Sequence, residues 1–131
     1  MTSEDPKLAV LKRLNLSDLD SCAECFAEDF VWHYFNPRLP ELAGDYRGVD
    51  GLKSFFEALS AVTGGTFVHQ TISVTPWGDE LLVMCNKNRL MFQGNAIETD
   101  VVLVWRFVDG RVAEVWDIPS AYSGTREQLP S

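Results

Sequence analysis

From Thr66 to Ile118 the hydrophobic period of the chain is two, and four segments carry it: "TFVHQTISVT", "ELLVMCNKNRLMF", "ETDVVLVWRFV" and "RVAEVWDI". They are separated by "PWGD", "QGN" and "DG", which are turn signals. Strands joined by such short turns pair antiparallel with their neighbours. This alternation limits the second half of the chain to a sheet with one apolar face, and that face needs a cover.

The first half supplies the cover. "PKLAVLKRLN" reads as a short helix, and "LSDLDSCAECFAEDF" as a second. Ser17 is the candidate N-cap of the second, and Asp18 and Asp20 complement its dipole. Leu19, Cys22, Ala23 and Phe26 form its expected buried stripe. "FVWHYF" reads as a short strand, and "NPRLPELAGDYRG" as a loop. Asp50 can cap a third helix, "GLKSFFEALSAV", whose apolar face is Leu52, Phe55, Phe56 and Leu59 and which "TGG" ends. The expected fold class is α+β. A strongly curved sheet wrapped over these helices would leave a cavity between them.

A chain of 131 residues forms one domain, 1–131, whose last residues, 119–131, read as a polar tail. No apolar run approaches the ~20 residues of a membrane span. "MTSEDPK" is too acidic and polar for a signal peptide, so a cytoplasmic protein is the default. The net charge of −8 argues against nucleic acid as partner. Of three cysteines, Cys22 and Cys25 form a C-x-x-C already inside a helix. His33 and His69 lack metal-ligand spacing around it, and the expected state is packed free thiols.

Asp117, at the end of the last strand, is the main candidate for chemistry. Its face depends on the hairpin "FVDGRV". If Asp109-Gly110 is a two-residue loop, Val108 pairs with Arg111. Asp117 then shares a face with Val102, Val104 and Arg106, and Glu114 is buried among Leu103, Trp105 and Phe107. If the loop is Val108-Asp109-Gly110 with a bulge at Gly110, Phe107 pairs with Arg111. Asp117 then lies opposite Val101, on the face of Leu103, Trp105, Phe107, Ala113 and Val115, while Glu114 can pair with Arg106. The second register is preferred, because it pairs one charge and buries the other at a strand end. A carboxylate on an apolar concave face has a raised pKa and can exchange protons near neutrality. The other reading, a turn-capping carboxylate before Pro119, stays open.

The same alternation puts Lys87 and Arg89 on a wet face. It puts Asn86 and Asn88 on the apolar face with Met84, Leu90 and Phe92, where two amides need partners. On the first strand Trp32 and Tyr34 share one face, and Tyr34 can offer its hydroxyl to a cavity.

These stretches resemble the nuclear transport factor 2-like superfamily, in its SnoaL-like and ketosteroid isomerase-like branch. "FAEDFVWHYF", "LAGDYRGVDGLKSFFEAL", "TGGTF" and "VVLVWRFVDGRVAEVWD" carry the resemblance over about residues 5–118. The resemblance implies three N-terminal helices packed in the concave face of a strongly curved, mixed but mostly antiparallel sheet, a cone with an internal pocket, together with a small hydrophobic ligand and a homodimer through the outer sheet face. The place of the ketosteroid isomerase base falls on Tyr34. Limonene epoxide hydrolases look similar in keeping an aspartate where Asp117 stands, but their Arg/Asp pair falls near Met84 and Asn86. The expected function is a cofactor-free isomerase, cyclase or hydratase/hydrolase on a small apolar oxygenated substrate, or else a non-catalytic ligand-binding or dimeric interaction protein with the same pocket. Asp117, Tyr34 and Asn86 are the candidate catalytic residues. Trp32, Met84, Asn88, Leu103, Trp105 and Val115 are the candidate substrate contacts.

Overall fold

The structure is a computed structural model that describes residues 5–120. Helix α1 spans Pro6–Arg13, with Asp5 accepting from the Lys7 N–H at its start. The last five residues of the second expected helix open the first strand, β1, which spans Phe26–Tyr34. Only Leu19–Cys25 is helical, and it is a 3₁₀ helix with a kink at Cys22. Ser17 is not its cap; Asp18 holds that position without a side-chain bond. Leu19, Cys22 and Cys25 are buried and Ala23 is exposed, because side chains three apart eclipse in a 3₁₀ turn. Phe26 and Phe30 misled the helical reading. A spacing of four puts two residues on one face of a helix and of a strand alike, and their rings touch edge-on at 4.9 Å.

The expected loop contains an edge strand, β2 (Gly44–Arg47). Helix α2 (Gly48–Thr63) starts after Arg47, so Asp50 lies in its first turn instead of capping it. Gly64, at φ 62°, closes it in the left-handed conformation. Strands β3 (Val68–Trp77), β4 (Leu81–Phe92), β5 (Asn95–Val108) and β6 (Arg111–Pro119) follow. Pro119 thus belongs to the sheet, and the rest of the expected tail from residue 121 lies outside the described residues. The six strands form one curved, mixed sheet in the order β2-β1-β6-β5-β4-β3. Every pairing is antiparallel except β1 with β6. Only two of the three helices precede the first strand.

The hairpin combines parts of both expected registers. Its loop is the two-residue one: Asp109 and Gly110 both have positive φ, 53° and 76°, and Val108 pairs with Arg111. A bulge follows. Phe107 pairs with Val112 but Arg106 pairs with Glu114, leaving Ala113 as the extra residue. The bulge reverses the faces of everything after it. Asp117 is therefore on the concave face, opposite Leu103 and not Val101, and Val112 takes the buried place expected for Ala113.

Glu114 reaches the convex face directly opposite Arg106, which donates to it at 2.9 Å. It also meets His33 Nε2 at 2.5 Å, and His33 Nδ1 meets Asp45 at 2.6 Å. The ring stacks on Trp116 at 5.6 Å. Burial disfavours the charged imidazole, but the hydrogen bonds with Asp45 and Glu114 outweigh it and raise the pKa. The clamp's stabilisation is therefore complete below the unfolded value of ~6.5 and is lost as pH rises through the higher folded value. His33→Gln is expected to cost ~1–3 kcal/mol at pH 6, with the difference from wild type narrowing toward pH 9, read by urea unfolding. A pH-independent difference would exclude a charged clamp.

Candidate active site

A cavity of about 510 Å³ lies between the concave sheet face and the helices. Successive cross-strand rows of side chains line it. One row runs Val74, Met84, Leu103, Asp117, Tyr34 across β3, β4, β5, β6 and β1, with each neighbour in register. On the mouth side, Asn86 lies beside Thr71, and then Asn88 lies between His69 and Thr99. On the floor side, Trp105 pairs through Val115 with Trp32.

The parallel junction of β1 and β6 brings Asp117 and Tyr34 together, and the Phe35 N–H donates to the Asp117 carbonyl at 3.0 Å. Asp117 is 9% exposed. Its carboxylate accepts from Trp32 Nε1–H at 3.3 Å, and no cation pairs with it among the described residues. Burial pushes the carboxyl up to about 7, against the downward pull of the Trp32 bond. Tyr34 is pushed up to about 12, first by burial, against the pull of a hydrogen bond from Asn36. Asn36 Nδ2 donates to the Tyr34 oxygen at 2.9 Å. The phenol therefore stays protonated, and its own O–H remains a donor.

The wall opposite is apolar. Phe55 of α2 packs on Tyr34 at 4.8 Å, and Trp32 meets Phe56 at 5.9 Å and Trp105 at 5.7 Å, all ring centroids. Leu11 and Leu14 close another side.

The cavity thus brings together Asp117, Tyr34, Asn86, Trp32, Met84, Asn88, Leu103 and Trp105. Val115, fully buried, packs in the core between Trp105 and Trp32 instead of at the cavity wall. Sequence reasoning missed Asn36, which lies in an Asn-Pro step that reads as loop. It assigned Phe55, Phe56 and Leu59 to a helix face without separating core from cavity, since both demand the same apolar spacing. His69 sits at the mouth and is exposed. Cys22 and Cys25 are free, buried thiols. Among the described residues no three His, Cys, Asp or Glu side chains are grouped to hold a metal ion. No helix among them is long and apolar enough to cross a membrane.

A curved sheet with helices across its concave face defines the nuclear transport factor 2-like fold. The chain belongs to the SnoaL-like domain family, which it matches over residues 8–115. A search of curated proteins found no match. Among solved structures, Bal32a from a soil-derived mobile gene cassette is similar at TM-score 0.75 and 23% identity, over 90% of this chain and 94% of that one. A nuclear transport factor 2-like protein of unknown function from Burkholderia pseudomallei is similar at TM-score 0.76 and 18% identity, over 90% and 93%. TerC, co-crystallised with polyporic acid, is similar at TM-score 0.73 and 18% identity, over 88% and 92%. At these identities the likeness is one of fold.

Between the unfolded value of ~3.9 and the folded value of about 7, folded Asp117 keeps a proton that the unfolded chain has released. Its contribution to stability is full below that window and is lost as pH rises through it. Asp117→Asn is expected to remove this slope and to raise stability above pH 7 by up to ~4 kcal/mol, read by urea unfolding across pH 4–9. Carbon-13 NMR of the carboxyl provides the direct check, and a midpoint near 4 would refute the assignment.

Proposed function

We propose that this protein is a cofactor-independent acid/base enzyme acting on a small, largely apolar, oxygenated substrate: an isomerase, cyclase or hydratase/hydrolase. The observation that carries this reading is Asp117, a buried carboxyl facing a ligand-sized cavity with a pKa of about 7. A group titrating there is populated in both forms at neutral pH, so it can remove one proton and return it elsewhere. Tyr34, held protonated, donates to the substrate oxygen on which charge develops as that proton leaves. Asn36 strengthens that donor by hydrogen-bonding its oxygen. The Trp32 N–H orients the carboxylate without neutralising it, which an arginine or lysine would do. Aromatic and aliphatic walls exclude water and hold the substrate's apolar body. That TerC, of the same fold, was co-crystallised with polyporic acid supports a small-molecule role for this fold. The same acid/base pair serves isomerisation, ring closure and addition of water, so the reaction class stays at that breadth.

The convex face leaves Phe35, Val102 and Ile118 at 49, 39 and 45% exposure, an apolar surface that a second copy of the chain would cover. In this reading the working form is a homodimer through the outer sheet face.

Mass spectrometry of small molecules that co-purify with the protein is the first experiment, with polyporic acid as a defined starting probe. On any substrate found, Asp117→Asn is expected to lower kcat by about 10²–10⁴, and the wild-type profile to bend near pH 7. Tyr34→Phe is expected to lower kcat by ~10–100-fold with little change in KM. Unchanged turnover in Asp117→Asn would overturn the catalytic reading. Sedimentation is expected to give a dimer that Val102→Glu converts to monomer; a monomeric wild type removes the dimer.

A further inference from the structure

Asn86 and Asn88 occupy consecutive concave-face positions of β4, ~7 Å apart along the strand. Asn86 is 8% exposed, and among the described residues neither its Oδ1 nor that of Asn88 has a hydrogen-bond partner, although both residues line the cavity. A buried amide oxygen without a partner is destabilising, and the same strand shows how that cost is avoided. Leu82 and Met84 hold the two preceding positions on that face with no polar atom to satisfy, apart from a weak thioether. Two amides in sequence thus break an apolar pattern and face a space large enough for a ligand.

Their surroundings define what that ligand presents. The cross-strand neighbours are Thr71 and the buried Val101 for Asn86, and His69 and Thr99 for Asn88, so this end of the cavity carries two amides and two hydroxyls around one exposed imidazole, with Val101 as the apolar neighbour. Arg38, the cation in the lining, belongs to the loop after β1, three strands from β4, and among the described residues no charged side chain is a cross-strand neighbour of Asn86, which argues against a charged group there. The unpaired oxygens require a donor. Turning either amide over presents a donor instead, and a hydroxyl, being donor and acceptor, satisfies both orientations. Asn86 stands two strands from Asp117 and one pleat repeat toward the mouth, ~10 Å across the sheet and ~7 Å along it. Phe67, Leu90 and Phe92 line the cavity's apolar surface at this end.

We propose that the ligand carries oxygen functions at two ends of an apolar body, and that Asn86 and Asn88 hold an uncharged hydroxyl remote from Asp117. This rests on the reading of the cavity as a substrate site with the reacting end at Asp117 and Tyr34. It narrows the substrate to elongated, neutral molecules with at least two oxygens, one reacting and one recognised. Asn86 is then a specificity residue that leaves the chemistry to Asp117.

Binding of three matched probes tests this without knowledge of the natural substrate: 2,6-dihydroxynaphthalene, 2-naphthol and 2,6-dimethoxynaphthalene, by isothermal calorimetry at pH 7. The dihydroxy probe is expected to bind about tenfold more tightly than either of the others. Asn86→Leu is expected to abolish that difference while leaving 2-naphthol affinity within about twofold, and to keep or raise the Tm, because it removes a buried unpaired amide. Equal affinities in the wild type, no measurable binding by any probe, or discrimination that survives in Asn86→Leu overturns the proposal. A Tm lowered by several degrees in Asn86→Leu also overturns it, since the amide would then be held by buried water as part of the core. The acid/base reading fails separately. If Asp117 titrates near 4 while the probes still discriminate, the hydroxyl site stands and the catalytic reading falls.

Discussion

The cavity depends on the pairing of the first strand with the last. β1 and β6 run parallel inside the sheet, β1 next to the edge strand β2, and every other pairing among the described strands is antiparallel. That junction sets Tyr34 beside Asp117 across 83 residues of sequence and lets the Trp32 indole reach the carboxylate. It also joins the hairpin β1–β2 to the meander β3–β6, so that one continuous concave face carries the acid, the phenol and the amides. Without it, Asp117 would be the end of an edge strand in water.

Two carboxylates three residues apart meet opposite environments as a result. Glu114 on the convex side is held by Arg106 and His33. Asp117 on the concave side has an indole N–H and no cation, and its proton is retained to about pH 7. The extra residue at Ala113 separates these fates. A two-residue loop without the bulge would exchange them, placing Glu114 among Leu103, Trp105 and Phe107, where desolvation costs several kcal/mol. The bulge is thus a means of reconciling a tight Asp-Gly turn with the pairing that charge burial requires.

The same separation of faces organises the remaining charges. Lys87 and Arg89 meet Glu98 and Asp100 on the convex side of β4 and β5, at 2.8–3.6 Å. These are solvated pairs that contribute little to stability. They lie on the face away from Asp117, whose pKa a neighbouring cation would hold low. Around Asp117 the lining offers neutral hydrogen-bonding groups, with His69 and Arg38 also in the lining, and apolar side chains of α1 and α2 cover them.

The sequence by itself determined the fold class, the four strands after Thr66, helix α2, and the face that Asp117, Asn86 and Asn88 share. Alternation and turn residues are local, so a period of two and an Asp-Gly step are legible without coordinates. It misplaced the start of β1, because Phe26 and Phe30 fit both periods, and it misread the loop holding β2, whose four residues pair only because β1 lies beside them. It reached the correct face for Asp117 through the wrong loop, since a bulge and a longer turn shift parity alike. Tertiary structure alone decided that Asn36 supports Tyr34, that Val115 is core and not wall, and that Tyr34 and Asp117 are neighbours. Each of these depends on contacts between segments distant in sequence, whose register is set by the packing of the whole sheet and not by any residue near them.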